Sequence, residues 1–153
     1  MSNFGGYAIS ESLYNSIKEL LEEGSTILEL GSGTGTIELC KHYKVYSVEH
    51  NKNWLNKSNS TYIYAPLKNN WYSLEMFKSI PNEYDLLLID GPPGGSRQHM
   101  INHLNKFNLN TNIIVDDVNR RIDLKLANAI KDKTNRDYKI INDKEKSFAI
   151  FKK

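Results

Sequence analysis

Short apolar runs alternate with amphipathic stretches along this chain, and the alternation predicts repeated strand-then-helix units. The predicted strands are short and rich in apolar, β-branched or aromatic residues: Thr26–Leu30, Val45–Val48, Thr61–Tyr64, Tyr84–Ile89 and Asn112–Val115. The run at 84–89 is the most continuous, as expected of a strand covered on both faces. Five such units predict right-handed crossovers and a parallel sheet.

Amphipathic segments between the strands predict the helices. In the first, Ser10 can cap a helix that runs to Glu23, and Gly24 ends it. The other predicted helical segments are shorter: a helix from the first glycine loop to about His42, a turn at Asn51–Lys57, a weak helix at Ser73–Ser79, a helix that follows Gly95 and ends near Phe107, and Ile122–Lys131.

The last part of the chain predicts a hairpin. Tyr138–Ile141 and Phe148–Phe151 read as strands around a polar turn at Asp143–Lys146. A hairpin places one strand antiparallel to the rest, at or near a sheet edge. The predicted fold class is therefore α/β: a doubly wound, three-layer sandwich with a mostly parallel seven-stranded sheet and one antiparallel strand.

Length and charge narrow the function classes. The 153 residues fit one domain, 1–153, and the 20 basic against 18 acidic side chains give a net charge of only +2. That balance does not indicate nucleic acid or an acidic membrane as a partner. A single cysteine, Cys40, excludes an intrachain disulfide, and no apolar run approaches the roughly 20 residues of a membrane span. Without signal-peptide features at the start, we expect a cytoplasmic protein with no membrane partner.

A glycine loop, Gly31–Gly35, follows the first predicted strand directly. Ligands of such sheets lie at the carboxyl ends of the strands, and glycines let a bulky ligand approach the backbone. The spacing is not the dinucleotide fingerprint, because Thr36 stands where a further glycine would be needed. The loop therefore predicts a ligand site that does not hold a pyrophosphate.

An acidic residue, Glu49, ends the second predicted strand, 18 residues after Gly31. A carboxylate at this position can accept hydrogen bonds from both hydroxyls of a ribose. His50 follows it and is expected to pack beside the ribose.

These two segments resemble motifs of the class I S-adenosylmethionine-dependent methyltransferases. Residues 27–35 are similar to the family's first motif and residues 48–51 to its ribose-binding second. The resemblance implies a single methyltransferase-like domain with S-adenosylmethionine as cofactor and the strand order 3-2-1-4-5-7-6. It further implies a set of cofactor-binding residues: Tyr7 in a leader over the cofactor, Gly31, Ser32, Gly33 and Gly35 at its amino-acid portion, Glu49 and His50 at the ribose, Leu67 near adenine, and Asp90.

Three carboxylates are expected to converge at the far strand ends. Asp90 ends the fourth strand, and Asp116 and Asp117 end the fifth. Like charges held close together repel, and Mg²⁺ or another divalent cation would relieve the repulsion. The pattern resembles the metal-dependent O-methyltransferases of the catechol and caffeoyl-CoA type, although Asp117 replaces their Asn and their lysine base is missing. The alternatives are that Asp90 contacts cofactor or substrate without a metal, or that the acids cap helices.

The resemblance implies methyl transfer, and the acceptor we expect is an oxygen of a small molecule or saccharide. Asp90 is the candidate catalytic base, and Arg97 and His99 either orient the substrate or lie at the surface. The Asn/Asp-Pro-Pro-aromatic signature of amino-methyltransferases is not present. The alternatives are an RNA or protein methyltransferase and a non-catalytic, cofactor-binding partner subunit. Because so short a chain leaves its crevice open, we also expect a homodimer.

Overall fold

A computed structural model describes residue 4 and residues 8–144 and 146–153 of the chain. Nine strands are assigned within these residues: β1 (Thr26–Leu30), β2 (Lys44–Glu49), β3 (Thr61–Tyr64), β4 (Leu67–Lys68), β5 (Trp71–Tyr72), β6 (Leu86–Ile89), β7 (Asn112–Val115), β8 (Lys139–Asp143) and β9 (Lys146–Phe151). Seven of them form one sheet in the order β3-β2-β1-β6-β7-β9-β8, and β4 pairs with β5 separately. Counting only the seven strands of the large sheet, this is the order 3-2-1-4-5-7-6 implied by the resemblance.

Strand directions in the large sheet also confirm the predicted fold class. Neighbours from β3 through β7 pair in parallel, and β9 pairs antiparallel with both β7 and β8. The chain runs outward from β1 to β3 and then returns to β6 on the other side of β1. The strand order therefore reverses between β1 and β6, which is where sheets of this type bind ligands.

Within the described residues, one α-helix precedes β1, and two α-helices and three 3₁₀ segments connect strands. The α-helices are α1 (Glu11–Leu20), α2 (Thr34–Leu39) and α3 (Arg121–Thr134), and the 3₁₀ segments are Lys52–Trp54, Leu74–Lys78 and Gly94–Lys106. As predicted, Ser10 caps α1: its Oγ accepts a hydrogen bond from the Leu13 N–H at 3.1 Å. The helix ends before Glu23 because Leu21 is already extended.

Two apolar clusters cover the two faces of the sheet. One includes Leu87 and Ile89 of β6 with residues of Gly94–Lys106 and α3, and the other includes Leu86 and Leu88 with residues of α1 and α2. Successive β6 side chains thus enter opposite clusters, and all four are fully buried. This confirms a central strand covered on both faces.

A short hairpin after β3 was not predicted. β4 and β5 are joined by Asn69 and Asn70, both with positive φ (55° and 67°), which is the geometry of a two-residue hairpin turn. The turn brings Trp71 and Tyr72 into the core, where each is about 1% exposed. In the described ranges, no helix is both long and apolar enough to span a bilayer.

Candidate active site

The three glycines of the loop after β1 have different surroundings. Gly31 has φ +88°, and a Cβ placed on it would lie 2.6 Å from the Asp90 carbonyl oxygen, so the ends of β1 and β6 pack backbone to backbone. A Cβ on Gly35 would lie 2.7 Å from Ile9 Cγ1, so this glycine allows close packing of α2. A Cβ on Gly33 would meet no described atom within 4 Å. The loop is therefore open toward a ligand at Gly33.

Glu49 joins the end of β2 to this loop. Its side chain is only 3% exposed, and its Oε1 accepts hydrogen bonds from the Ser32 N–H at 2.9 Å and the Ser32 hydroxyl at 2.8 Å. Its Oε2 accepts from the Asn51 N–H at 2.8 Å and lies 3.2 Å from His50 Nδ1. The structure thus brings Ser32, Glu49 and His50 together, as their predicted common site requires.

A second buried acid, Glu29 on β1, is linked to the loop by hydrogen bonds and was not predicted as a site residue. Its Oε1 accepts hydrogen bonds from the hydroxyls of Thr36 at 2.8 Å and Ser47 at 2.7 Å. Thr36 Oγ1 in turn accepts from the Gly33 N–H at 3.1 Å. Burial raises the pKa of Glu29 from 4.5 to about 7, although the two hydroxyls lower it. The sequence feature that could have indicated this role is a single acid among the apolar residues of β1.

The three acids expected to converge do lie together. One oxygen each of Asp90, Asp116 and Asp117 falls within 4.8 Å of the others. Asp116 Oδ1 accepts from the Asp117 N–H at 2.8 Å, and its buried Oδ2 has no hydrogen-bond partner among the described residues. Burial and the neighbouring carboxylate of Asp116 raise the pKa of Asp90 well above 3.8. Asp123 of α3, also buried, adds a fourth acid, and we call these four residues the carboxylate cluster.

Arg97, from the segment Gly94–Lys106, lies inside the carboxylate cluster. Its side chain is 3% exposed, which excludes the expectation that it is a surface residue. Its Nη1 donates to the Asp116 carbonyl oxygen and to Asp117 Oδ2, both at 3.2 Å. The guanidinium also lies 3.5 Å from Asp90 Oδ1 and 3.5 Å from Asp123 Oδ1. His99, two residues further on, is half-buried.

Two more cations border the cluster. Arg120 Nε donates to Asp123 Oδ2 at 2.7 Å, and its Nη2 donates to Asp117 Oδ2 at 3.2 Å. Lys146 Nζ lies 4.0 Å from Asp117 Oδ1. Three cationic side chains thus pair with three of the four carboxylates, those of Asp90, Asp117 and Asp123. Carboxylate oxygens suit a hard divalent cation. The cluster nevertheless does not fit a bound divalent cation, because Arg97, Arg120 and Lys146 already largely balance its negative charge.

Two predicted residues remain, Leu67 and Tyr7. Leu67 begins β4 and is exposed. The Tyr72 hydroxyl reaches the position that a Cβ on Gly91 would occupy, next to Gly31. Tyr7 lies outside the described residues. The glycine loop and the acidic ends of β6 and β7 therefore lie at the carboxyl ends of neighbouring parallel strands, and we call the region outside these ends, where sheets of this type bind ligands, the crevice.

No protein-family model matches the chain, and no curated protein matches it in sequence. Solved structures do match its fold. The precorrin-8w decarboxylase of Methanobacterium thermoautotrophicum matches over 98% of this chain and 93% of its own, at 16% identity and a TM-score of 0.67. A proposed caffeoyl-CoA O-methyltransferase of Staphylococcus aureus matches over 95% of this chain and 85% of its own, at 15% identity and a TM-score of 0.60.

A TehB-like SAM-dependent methyltransferase of Corynebacterium glutamicum matches over 91% of this chain and 85% of its own, at 12% identity and a TM-score of 0.56. At such identities the likeness concerns the fold. Together with the strand order, it shows that this chain has the class I S-adenosylmethionine-dependent methyltransferase fold.

Proposed function

We propose that this chain is a methyltransferase that uses S-adenosylmethionine to methylate an oxygen of a small molecule or saccharide. One observation carries the proposal: the loop open at Gly33 is hydrogen-bonded through Ser32 to the buried carboxylate of Glu49. It lies at the point of strand-order reversal in a fold that the matching methyltransferases share.

The residues present fit the cofactor. The open space at Gly33 admits its amino-acid portion, and Leu67 offers an exposed apolar side chain for the adenine. Glu49 already accepts two hydrogen bonds on Oε1 and one on Oε2, with His50 beside Oε2. A ribose hydroxyl would therefore replace the Ser32 hydroxyl or the His50 ring, while the Ser32 N–H keeps the loop in place.

S-adenosylmethionine, when bound, supplies a methyl group that is already activated by the positively charged sulfur. The protein therefore has to align the acceptor and remove its proton. Asp90 is the residue we propose for the proton, because its partly exposed carboxylate follows β6 directly and its backbone contacts the loop at Gly31. The raised pKa of Asp90 makes its carboxylate a stronger proton acceptor once it is ionised.

The chemistry around Asp90 favours oxygen over nitrogen as the acceptor atom. A hydroxyl has to lose its proton to attack, and a carboxylate of raised pKa serves that need. The small net charge of +2 favours a small molecule or saccharide over nucleic acid.

Two measurements test the proposal. Isothermal titration with S-adenosylmethionine tests binding, and transfer of a radiolabelled methyl group to phenols, sugars, peptides and RNA tests activity. We expect binding, and transfer to a hydroxylated small molecule or a sugar. Failure to bind would refute the proposal, while binding with no transfer to any acceptor would indicate a non-catalytic subunit.

Asp90→Asn tests the catalytic step. It should lower turnover by roughly 10²–10⁴-fold, the usual contribution of a general base, with cofactor affinity nearly unchanged. Asp85→Asn is the matched control, because Asp85 precedes the same strand at its opposite end, where Oδ2 accepts from the Thr26 N–H. Equal turnover in both variants would remove Asp90 from the mechanism.

A further inference from the structure

We infer that Arg97 is the built-in counter-cation of the carboxylate cluster, and that it takes the place of a divalent metal there. The inference about metal binding stands on the contacts of Arg97 alone. Its consequence for catalysis, a metal-independent methyl transfer, rests on the proposed function.

The contacts of Arg97 come from three separate elements. The guanidinium reaches Asp90 at the end of β6, Asp116 and Asp117 after β7, and Asp123 on α3. A planar guanidinium carries five N–H donors in a fixed fork, so it can serve several oxygens at once. One side chain therefore holds together the strand ends and the helix that border the crevice.

Charge balance separates a metal site from this cluster. A divalent cation needs an excess of carboxylates, whereas the four acids here face Arg97, Arg120 and Lys146. Binding a divalent ion would turn a net charge of about −1 into about +1. The ion would also share oxygens of Asp90 and Asp117 with a guanidinium only 3.2–3.5 Å away.

Burial keeps Arg97 in this arrangement. Its side chain is only 3% exposed, and separating its charge from the acids inside the protein would leave a buried charge unpaired, which is costly. Arg97 is a positioning residue: its guanidinium lies 3.5 Å from the Asp90 carboxylate, whose side chain keeps 16% of its surface exposed.

Binding of Mn²⁺, followed by electron paramagnetic resonance, tests the inference on the complete chain. We expect no binding to the natural protein up to about 1 mM, the weak end of protein sites for hard cations. The unfolding temperature should be the same in a chelator and in Mg²⁺ or Mn²⁺. Stoichiometric Mn²⁺ binding that is lost in Asp117→Asn would overturn the inference.

Arg97→Met provides the complementary test, because it removes the charge and keeps much of the apolar length. We expect this variant to gain Mn²⁺ binding and to be stabilised by the ion. Arg136→Met is the matched control, since Arg136 donates to the carbonyl oxygens of Lys152 and Leu109, away from the cluster. A folded Arg97→Met protein that gains no more Mn²⁺ than Arg136→Met would contradict the inference.

Arg97→Lys serves where Arg97→Met does not fold. Lysine keeps the charge but loses the fork, so Mn²⁺ should still not bind. Turnover should fall by up to about 100-fold through a misplaced Asp90, with cofactor affinity unchanged. Mn²⁺ binding to Arg97→Lys, or an unchanged turnover, would count against the assigned position of Arg97. Because Mn²⁺ is measured without cofactor, a failure of the proposed function would appear separately, in the titration with S-adenosylmethionine.

Discussion

At the scale of single residues, Glu49 has one observed and one proposed function. It ties the glycine loop to β2 through Ser32, and we propose that it also binds the ribose. Replacing the carboxylate by a neutral amide brings an NH₂ group against donors that need an acceptor. If Glu49 binds the ribose as proposed, a change at this residue should therefore affect both the loop and cofactor binding.

Glu49→Gln should weaken binding of S-adenosylmethionine by roughly 10- to 150-fold, which corresponds to about 1.5–3 kcal/mol for a charged hydrogen bond. Isothermal titration measures the affinity, and circular dichroism checks the fold. Glu75→Gln is the control, because Glu75 is exposed and pairs with Lys78, outside the proposed site. Unchanged affinity in a folded Glu49→Gln protein would place the cofactor elsewhere.

Glu29 predicts a pH dependence of stability. Its pKa is raised from 4.5 to about 7, so the folded protein binds its proton more tightly than the unfolded chain does. The stability associated with Glu29 is therefore present below about pH 4.5 and is lost as the pH rises to about 7. A shift of that size corresponds to roughly 3 kcal/mol.

Glu29→Gln should remove this dependence, because a neutral amide can still accept from Thr36 and Ser47. We expect the variant to be more stable than the natural protein at pH 8, by up to about 3 kcal/mol, and about equal at pH 4.5. Urea unfolding at the two pH values measures the difference. A difference independent of pH would show that Glu29 does not titrate in this range.

At the scale of elements, the loop after β1 separates structural from ligand-facing glycines. Gly31→Ala should destabilise the fold by more than about 1–2 kcal/mol, the cost of a left-handed backbone, because its Cβ would also meet the Asp90 carbonyl oxygen. Gly33→Ala should leave stability unchanged, since its backbone is extended and the space is open.

Gly33, whose substitution should leave stability unchanged, should instead matter for cofactor affinity. Gly33→Ala should weaken S-adenosylmethionine binding, because its Cβ enters the space proposed for the ligand. Urea unfolding and isothermal titration measure the two effects. A Gly33→Ala protein that binds as tightly as the natural one would show that the ligand does not approach this glycine.

The elements also show what a sequence of this kind can predict. The strands of the large sheet followed from apolar runs, and their order was implied by the family resemblance that the loop and acid motifs carry. The β4–β5 hairpin did not, because its strands are two residues long and show no alternation. Its turn depends on Asn69 and Asn70 adopting positive φ, which asparagine tolerates but does not require.

Candidate site residues divided in a similar way. Residues at strand ends, such as Glu49 and Asp90, could be placed because parallel strands end at one edge. Arg97 could not, since its contacts include Asp117 and Asp123, 20 and 26 residues further along the chain. Such pairings depend on packing between elements and leave no periodic signal in the sequence.

At the scale of the whole molecule, the exposed apolar residues bear on assembly. Tyr64, Leu67 and Leu74 are 42%, 41% and 47% exposed. They lie between the end of β3 and the start of the 3₁₀ segment Leu74–Lys78. Exposed apolar side chains that form a patch are commonly covered by another subunit. We therefore predict a homodimer that covers this region.

Light scattering at high micromolar concentration should give twice the chain mass of 17.6 kDa. Leu74→Lys should shift the protein to the monomer, because a charge would have to be buried at the interface. Ile140→Lys, on the edge strand β8, should not. A monomer in the natural protein, or dissociation by Ile140→Lys alone, would contradict the predicted interface.

Ala8 and Lys153 lie at opposite ends of the neighbouring strands β7 and β9. The Ala8 carbonyl oxygen accepts from Lys146, which also approaches Asp117 in the carboxylate cluster. The Lys153 N–H donates to Asn112, at the start of β7. An affinity tag or sensor-chip linkage attached after Lys153 would therefore lie at the end of β7 opposite the carboxylate cluster and leave the cluster accessible.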